Sequence, residues 1–198
     1  MNLFKSIVSA ATAILLFGCS HATVVDQTPD TASNRGIAST SGKKVVRVHS
    51  QSCKTAYKNG FKSPSVAAVS DAADVCQKAA EAACTVYVER NSDGPGTGDG
   101  RYIAASCELS AAYGANKAVY KGSASPKCEA AYKQATNSPS TGDVETATET
   151  CSAEKALGCE KKVASESDGP QTGDGSWIAA SCELTASYGS FSEAIKRK

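Results

Sequence analysis

The chain has 198 residues, with 21 basic against 20 acidic and a formal net charge of +1, so it lacks the excess of one sign expected of a nucleic-acid binder. One Trp, one Met and 6% aromatic residues are thin for a single large core, while 41% hydrophobic content, much of it Ala, suffices for small domains. Nine cysteines point to an oxidising compartment or to metal sites, and two histidines, His21 and His49, leave little for His-based catalysis.

The N-terminus carries one basic residue, Lys5, then an apolar run from Ile7 to Phe17 broken only by Ser9 and Thr12. That run is too short to span a bilayer, which needs about 20 residues. A short charged start followed by a short apolar segment predicts a secretory signal peptide over 1–18. It ends Leu16-Phe17-Gly18-Cys19, which resembles the lipobox of bacterial lipoproteins: Leu at −3, a small residue at −1, then Cys. The resemblance covers residues 1–19 only and implies cleavage before Cys19, a diacylglycerol thioether on its sulfur and an acyl chain such as palmitate on its new amine. By the same analogy Ser20, in place of Asp, implies sorting to the outer membrane, facing the periplasm or the surface. Residues 19–44, rich in Ser, Thr, Ala, Asp and Asn, then read as the anchored Cys and a flexible tether.

The remainder is a tandem repeat. Cysteines fall at 53, 76, 84 and 107 and again at 128, 151, 159 and 182, with spacings of 23, 8 and 23 both times and a uniform displacement of 75. This defines two modules, 45–116 and 117–191, with a polar tail over 192–198.

Each module reads as α+β. Cys53–Tyr57 and Cys128–Tyr132 predict a short helix. Ser63-Pro64-Ser65 and Ser138-Pro139-Ser140 then cap a longer helix, reaching about Ala82 and Leu157. Cys84-Thr-Val-Tyr-Val-Glu alternates and is β-branched, as a strand does. After a Gly-rich loop, Ile103, Ala105, Cys107, Leu109, Ala111 and Tyr113 alternate strictly, as do Ile178 to Tyr188, so a return strand and a β-hairpin are expected.

A hairpin centred near residues 95 and 96 sets Cys84 opposite Cys107, leaving Cys53 for Cys76; the second copy then pairs Cys159–Cys182 and Cys128–Cys151. Four cysteines per module allow three connectivities, so 76–84 and the crossed pairing 53–84 with 76–107 stay open. The spacings lack the close ligand pairs of structural zinc, and no Cys-x-x-Cys occurs, so neither a cysteine zinc site nor a redox-active thiol pair is expected.

Between the copies, 18 of 23 positions from Ser92 to Gly114 are identical, against 12 of 39 from Cys53 to Asn91, so the loop and the segment after it have drifted least. The loop is therefore the candidate binding element. Asp93 and Asp99, with their counterparts Asp168 and Asp174, are its acidic groups, and Tyr102 and Trp177 stand at its exits. Ca2+ at these loops is one reading; turn chemistry, with Gly for positive φ and Asp as a cap, is the other. No catalytic constellation is present, so catalysis is not expected. Together these features predict an outer-membrane lipoprotein, held to the membrane by its lipid, whose duplicated modules bind a protein or glycan partner and not nucleic acid. The alternative is an inhibitor of a protease or lysozyme that presents a rigid hairpin loop.

Overall fold

The computed structural model describes residues 35–197; the signal segment, Cys19 and most of the expected tether lie outside them. Six helices account for nearly all of this span: α1 (Arg35–Gly60), α2 (Val66–Asn91), α3 (Gly98–Val119), α4 (Pro126–Thr136), α5 (Thr141–Glu166) and α6 (Gly173–Ala194). The expected α+β class is overturned, since no strand occurs among the described residues. α1 already takes in the residues from Arg35 to Lys44, and α6 runs on through Ser192 to a buried Ala194.

The strands expected over 84–89 and 103–113 are helical because their helices are covered on two sides. On α3, Ala105, Leu109 and Tyr113 recur at i,i+4 and face α4 and α5. Cys107 and Ala111 form a second i,i+4 stripe, facing α1 and α2. Two such stripes offset by two residues lie about 200° apart on a helix, and their union along the chain alternates as a strand does. α2 repeats the effect: Val86 packs towards Gly42 of α1, while Val88, also buried, faces the opposite side.

The capping oxygens act as expected. Ser65 Oγ accepts from the Ala68 N–H at the start of α2, and Ser140 Oγ from the Asp143 N–H at the start of α5. Four disulfides join Cys53–Cys76, Cys84–Cys107, Cys128–Cys151 and Cys159–Cys182. These are the pairs derived from the hairpin centre, now joining antiparallel helices. An αα-hairpin closed by a short loop brings the same residues together as a β-hairpin does.

The two copies interlock. Trp177, Ala180 and Leu184 of α6 pack on Val69 and Ala72 of α2, in the other copy. Ala105 and Leu109 of α3 pack on Val144 and Ala147 of α5, again across copies. Tyr57 stacks on Tyr188 at 4.1 Å between centroids, and Tyr132 on Tyr113 at 4.1 Å, so each pair repeats the other with the copies exchanged. The approximate two-fold axis passes where α3 crosses α6. There Gly114 meets its own equivalent, Gly189: a Cβ on either would stand 2.5 Å from the other's carbonyl oxygen.

One break in the symmetry of the core places a polar side chain there. Asn116 is fully buried, whereas its equivalent, Phe191, fills an apolar cluster. The Asn116 amide donates to the Cys151 carbonyl at 3.2 Å, and its oxygen accepts the Ser125 N–H at 2.7 Å. Asn116 thereby fastens copy one to two helices' worth of copy two, at Ser125 before α4 and at Cys151 in α5.

Candidate functional site: a groove between the two copies

The loops proposed from sequence are compact caps. Thr97 is the N-cap of α3, its Oγ1 accepting the Gly100 N–H at 3.1 Å and its single hydroxyl hydrogen shared between the Gly94 carbonyl, at 2.6 Å, and Asp99. Asp99 accepts from the Thr97 hydroxyl and, at 3.1 Å, from the Asp93 N–H. Thr172, Asp174, Asp168 and Gly175 repeat these bonds. The hydrogen bonds, led by the threonine hydroxyl, hold the Asp99 and Asp174 carboxyls below their ordinary range. Gly94 and Gly169 have φ near +143° and +142°, which only glycine adopts freely. A Cβ on Gly100 or Gly175 would overlap the carbonyl of Gly94 or Gly169.

All four aspartates are exposed, yet both oxygens of Asp99 and Asp174 already accept within the loop. Among the described residues no three His, Cys, Asp or Glu side chains gather as a metal site would require. Tyr102 and Trp177 lie between the copies: the Tyr102 hydroxyl donates to the Ser138 carbonyl at 2.8 Å, and the Trp177 indole N–H to the Ser63 carbonyl at 3.0 Å. The retained Asp, Thr and Gly of this segment thus build a helix cap, and Tyr102 and Trp177 tie it to the other copy.

A different place has the shape of a binding site. α2 and α5 form the walls of an open groove of about 600 Å³. Its floor is built from small residues of the two central helices: Ala111, Ala112 and Ala115 of α3, and Ala186, Ser187 and Ser190 of α6. These are three equivalent pairs under the displacement of 75. A continuation of about 390 Å³ shares Glu183 with it and is lined by Cys159, Val163, Pro170 and Ala179. Those four match Cys84, Val88, Pro95 and Ala104 of the first part, so the groove runs through both copies. The Cys84–Cys107 and Cys159–Cys182 bridges tie each wall to the floor.

The groove is apolar at the bottom and acidic at the rim. Glu81, Glu89, Glu108 and Glu183 line the larger part, and Glu160 joins Glu183 in the continuation. Among the described residues Lys155 is the one basic group in the lining, and its Nζ lies 2.8 Å from a Glu183 oxygen. Copy one has Ala80 at the position of Lys155. Glu108, the equivalent of Glu183, therefore lacks that lysine. Partial desolvation by the walls, and then the like charge of Glu145, push its carboxyl pKa upward.

The groove escapes a reading of the sequence because Ala and Ser on a helix look like filler. The signal present there is the pair Glu108 and Glu183, retained in both copies inside an otherwise small and apolar run. No family model matches the chain, and no curated protein or solved structure matches it either.

Proposed function

We propose that this chain is a lipid-anchored outer-membrane protein whose interlocked helical domain acts by binding a partner, the groove between α2 and α5 being its binding site. The observation that carries this reading is the groove itself. It is open, floored with small residues, and held by two disulfides, as preorganised sites are. The lipobox-like Leu16-Phe17-Gly18-Cys19 supports the anchor, and both copies contribute to the walls and floor of the groove.

The test fills the groove from either wall. Thr85→Trp and Ser152→Trp alter exposed lining residues and leave the core untouched. Retention of envelope components by the immobilised protein is then compared across wild type, these variants and the Asp99→Ala/Asp174→Ala double variant. Components that the Trp variants lose and the double variant keeps support the groove. The reverse pattern would move binding to loops 92–97 and 167–172 and favour the inhibitor reading.

A further inference from the structure

Resting on the groove reading above, we propose that the groove takes a cationic amphipathic helix, its apolar face on the Ala and Ser floor and its basic side chains against the glutamate rim. Three features support this occupant.

The first is steric. Ala111, Ala112, Ala115, Ala186, Ser187 and Ser190 project little, so a helix axis can approach the floor closely. From Ala104 to Ala115 the lining of α3 rises about 17 Å, three turns of helix, and the continuation along α6 extends it. Apolar grooves between helices receive amphipathic helices in this way.

The second is charge. Five glutamates line the two parts of the groove against one lysine, Lys155, which is committed to Glu183. The rim repels the carboxylate of a fatty acid and the phosphate of an anionic lipid, and it attracts lysine and arginine. Glu108 is the sharpest case. Its equivalent, Glu183, is answered from within the chain, whereas Ala80 stands where that lysine would be and Glu145 adds a like charge. A basic side chain from outside would stand to Glu108 as Lys155 stands to Glu183.

The third is rigidity. With both walls tied to the floor by disulfides, the groove keeps its width without a ligand, so little ordering cost falls on binding.

The test uses dye-labelled peptides and the full oxidised chain in zwitterionic micelles, with empty micelles as the control. One peptide carries Leu on one helical face and Lys on the other. The second replaces each Lys by Glu, and a fluorescent fatty acid is the third probe. Fluorescence anisotropy should show binding of the Lys peptide and not of the Glu peptide, weakening as salt is raised. Thr85→Trp and Ser152→Trp should abolish that binding, and Glu108→Gln should weaken it roughly tenfold. Circular dichroism should stay unchanged throughout.

Equal binding of both peptides, lost in the Trp variants, would overturn the cationic class and leave the groove as a site. Fatty-acid binding lost in the Trp variants, with no peptide bound, would do the same in favour of an acyl chain. Self-association abolished by Thr85→Trp would assign the groove to a second copy and overturn the proposal. Peptide binding indifferent to both Trp variants would overturn this inference and the groove reading together.

Discussion

Replacing Gly114 by Ala probes the interlock at the point where the copies meet on their two-fold axis. An added Cβ would stand 2.5 Å from the Gly189 carbonyl oxygen and 2.8 Å from Glu193 Cβ. A backbone oxygen cannot rotate aside, so α3 and α6 must separate. Overpacking of this kind costs about 1–3 kcal/mol, against about 1 kcal/mol recovered from the better helix propensity of Ala. The expected net loss is about 0–2 kcal/mol, or a fall in Tm of up to about 8 °C for a domain of this size. Gly142 supplies the control. A Cβ there meets only Ser140 Oγ, at 3.7 Å, so Gly142→Ala is expected to be neutral or to stabilise by less than about 1 kcal/mol. The double variant Gly114→Ala/Gly189→Ala is expected to lose less than the sum of its singles, because the first substitution already separates the helices. Urea unfolding followed by circular dichroism measures all four. If Gly114→Ala stabilised the protein as Gly142→Ala does, the crossing would not exist as described.

Asn116→Ala leaves the Ser125 N–H without its partner in a buried setting and removes the second donor to the Cys151 carbonyl, so a loss of about 1–3 kcal/mol in urea unfolding is expected, and no loss would contradict the role given to Asn116. The depressed Asp99 and Asp174 carboxyls contribute stability that is full above the ordinary Asp pKa near 4 and is lost as pH falls through their lower folded values. Melting curves should accordingly fall off below about pH 4 in the wild type and more gently in Asp99→Asn/Asp174→Asn. Cys19→Ser should move the protein out of the detergent phase or leave it unprocessed, and partitioning equal to wild type would remove the proposed lipid anchor.

The duplication and the capping serines were legible in the sequence because each rests on residue identity at fixed spacing. The cysteine spacing alone left three connectivities per module open; the observed pairs followed from expecting a hairpin there, and an αα-hairpin brings the same residues together as the expected β-hairpin. Helix type was not legible over 84–113. Ala105–Leu109–Tyr113 and Cys107–Ala111 serve two partners on opposite sides of α3, and no single amphipathic stripe survives in the pattern. The interlock was hidden for a related reason. Tyr57 is equally suited to stack on Tyr113 of its own copy or on Tyr188 of the other, and chemistry alone does not choose. For the candidate site, Asp99 and Asp174 drew attention through a motif that encodes a helix cap. Ala111, Ala112 and Ala115 acquire meaning only once α2 and α5 stand on either side of them.

The interlocked arrangement positions every other feature, and proton–proton Overhauser contacts among the tyrosine rings of the oxidised protein test it most directly. Ring contacts between Tyr57 and Tyr188 and between Tyr113 and Tyr132, each pair 4.1 Å apart by centroid, are expected, with the Trp177 indole proton close to Ser63. Contacts of Tyr57 with Tyr113 and of Tyr132 with Tyr188 in their place would mean that each module folds upon itself, and would contradict the account.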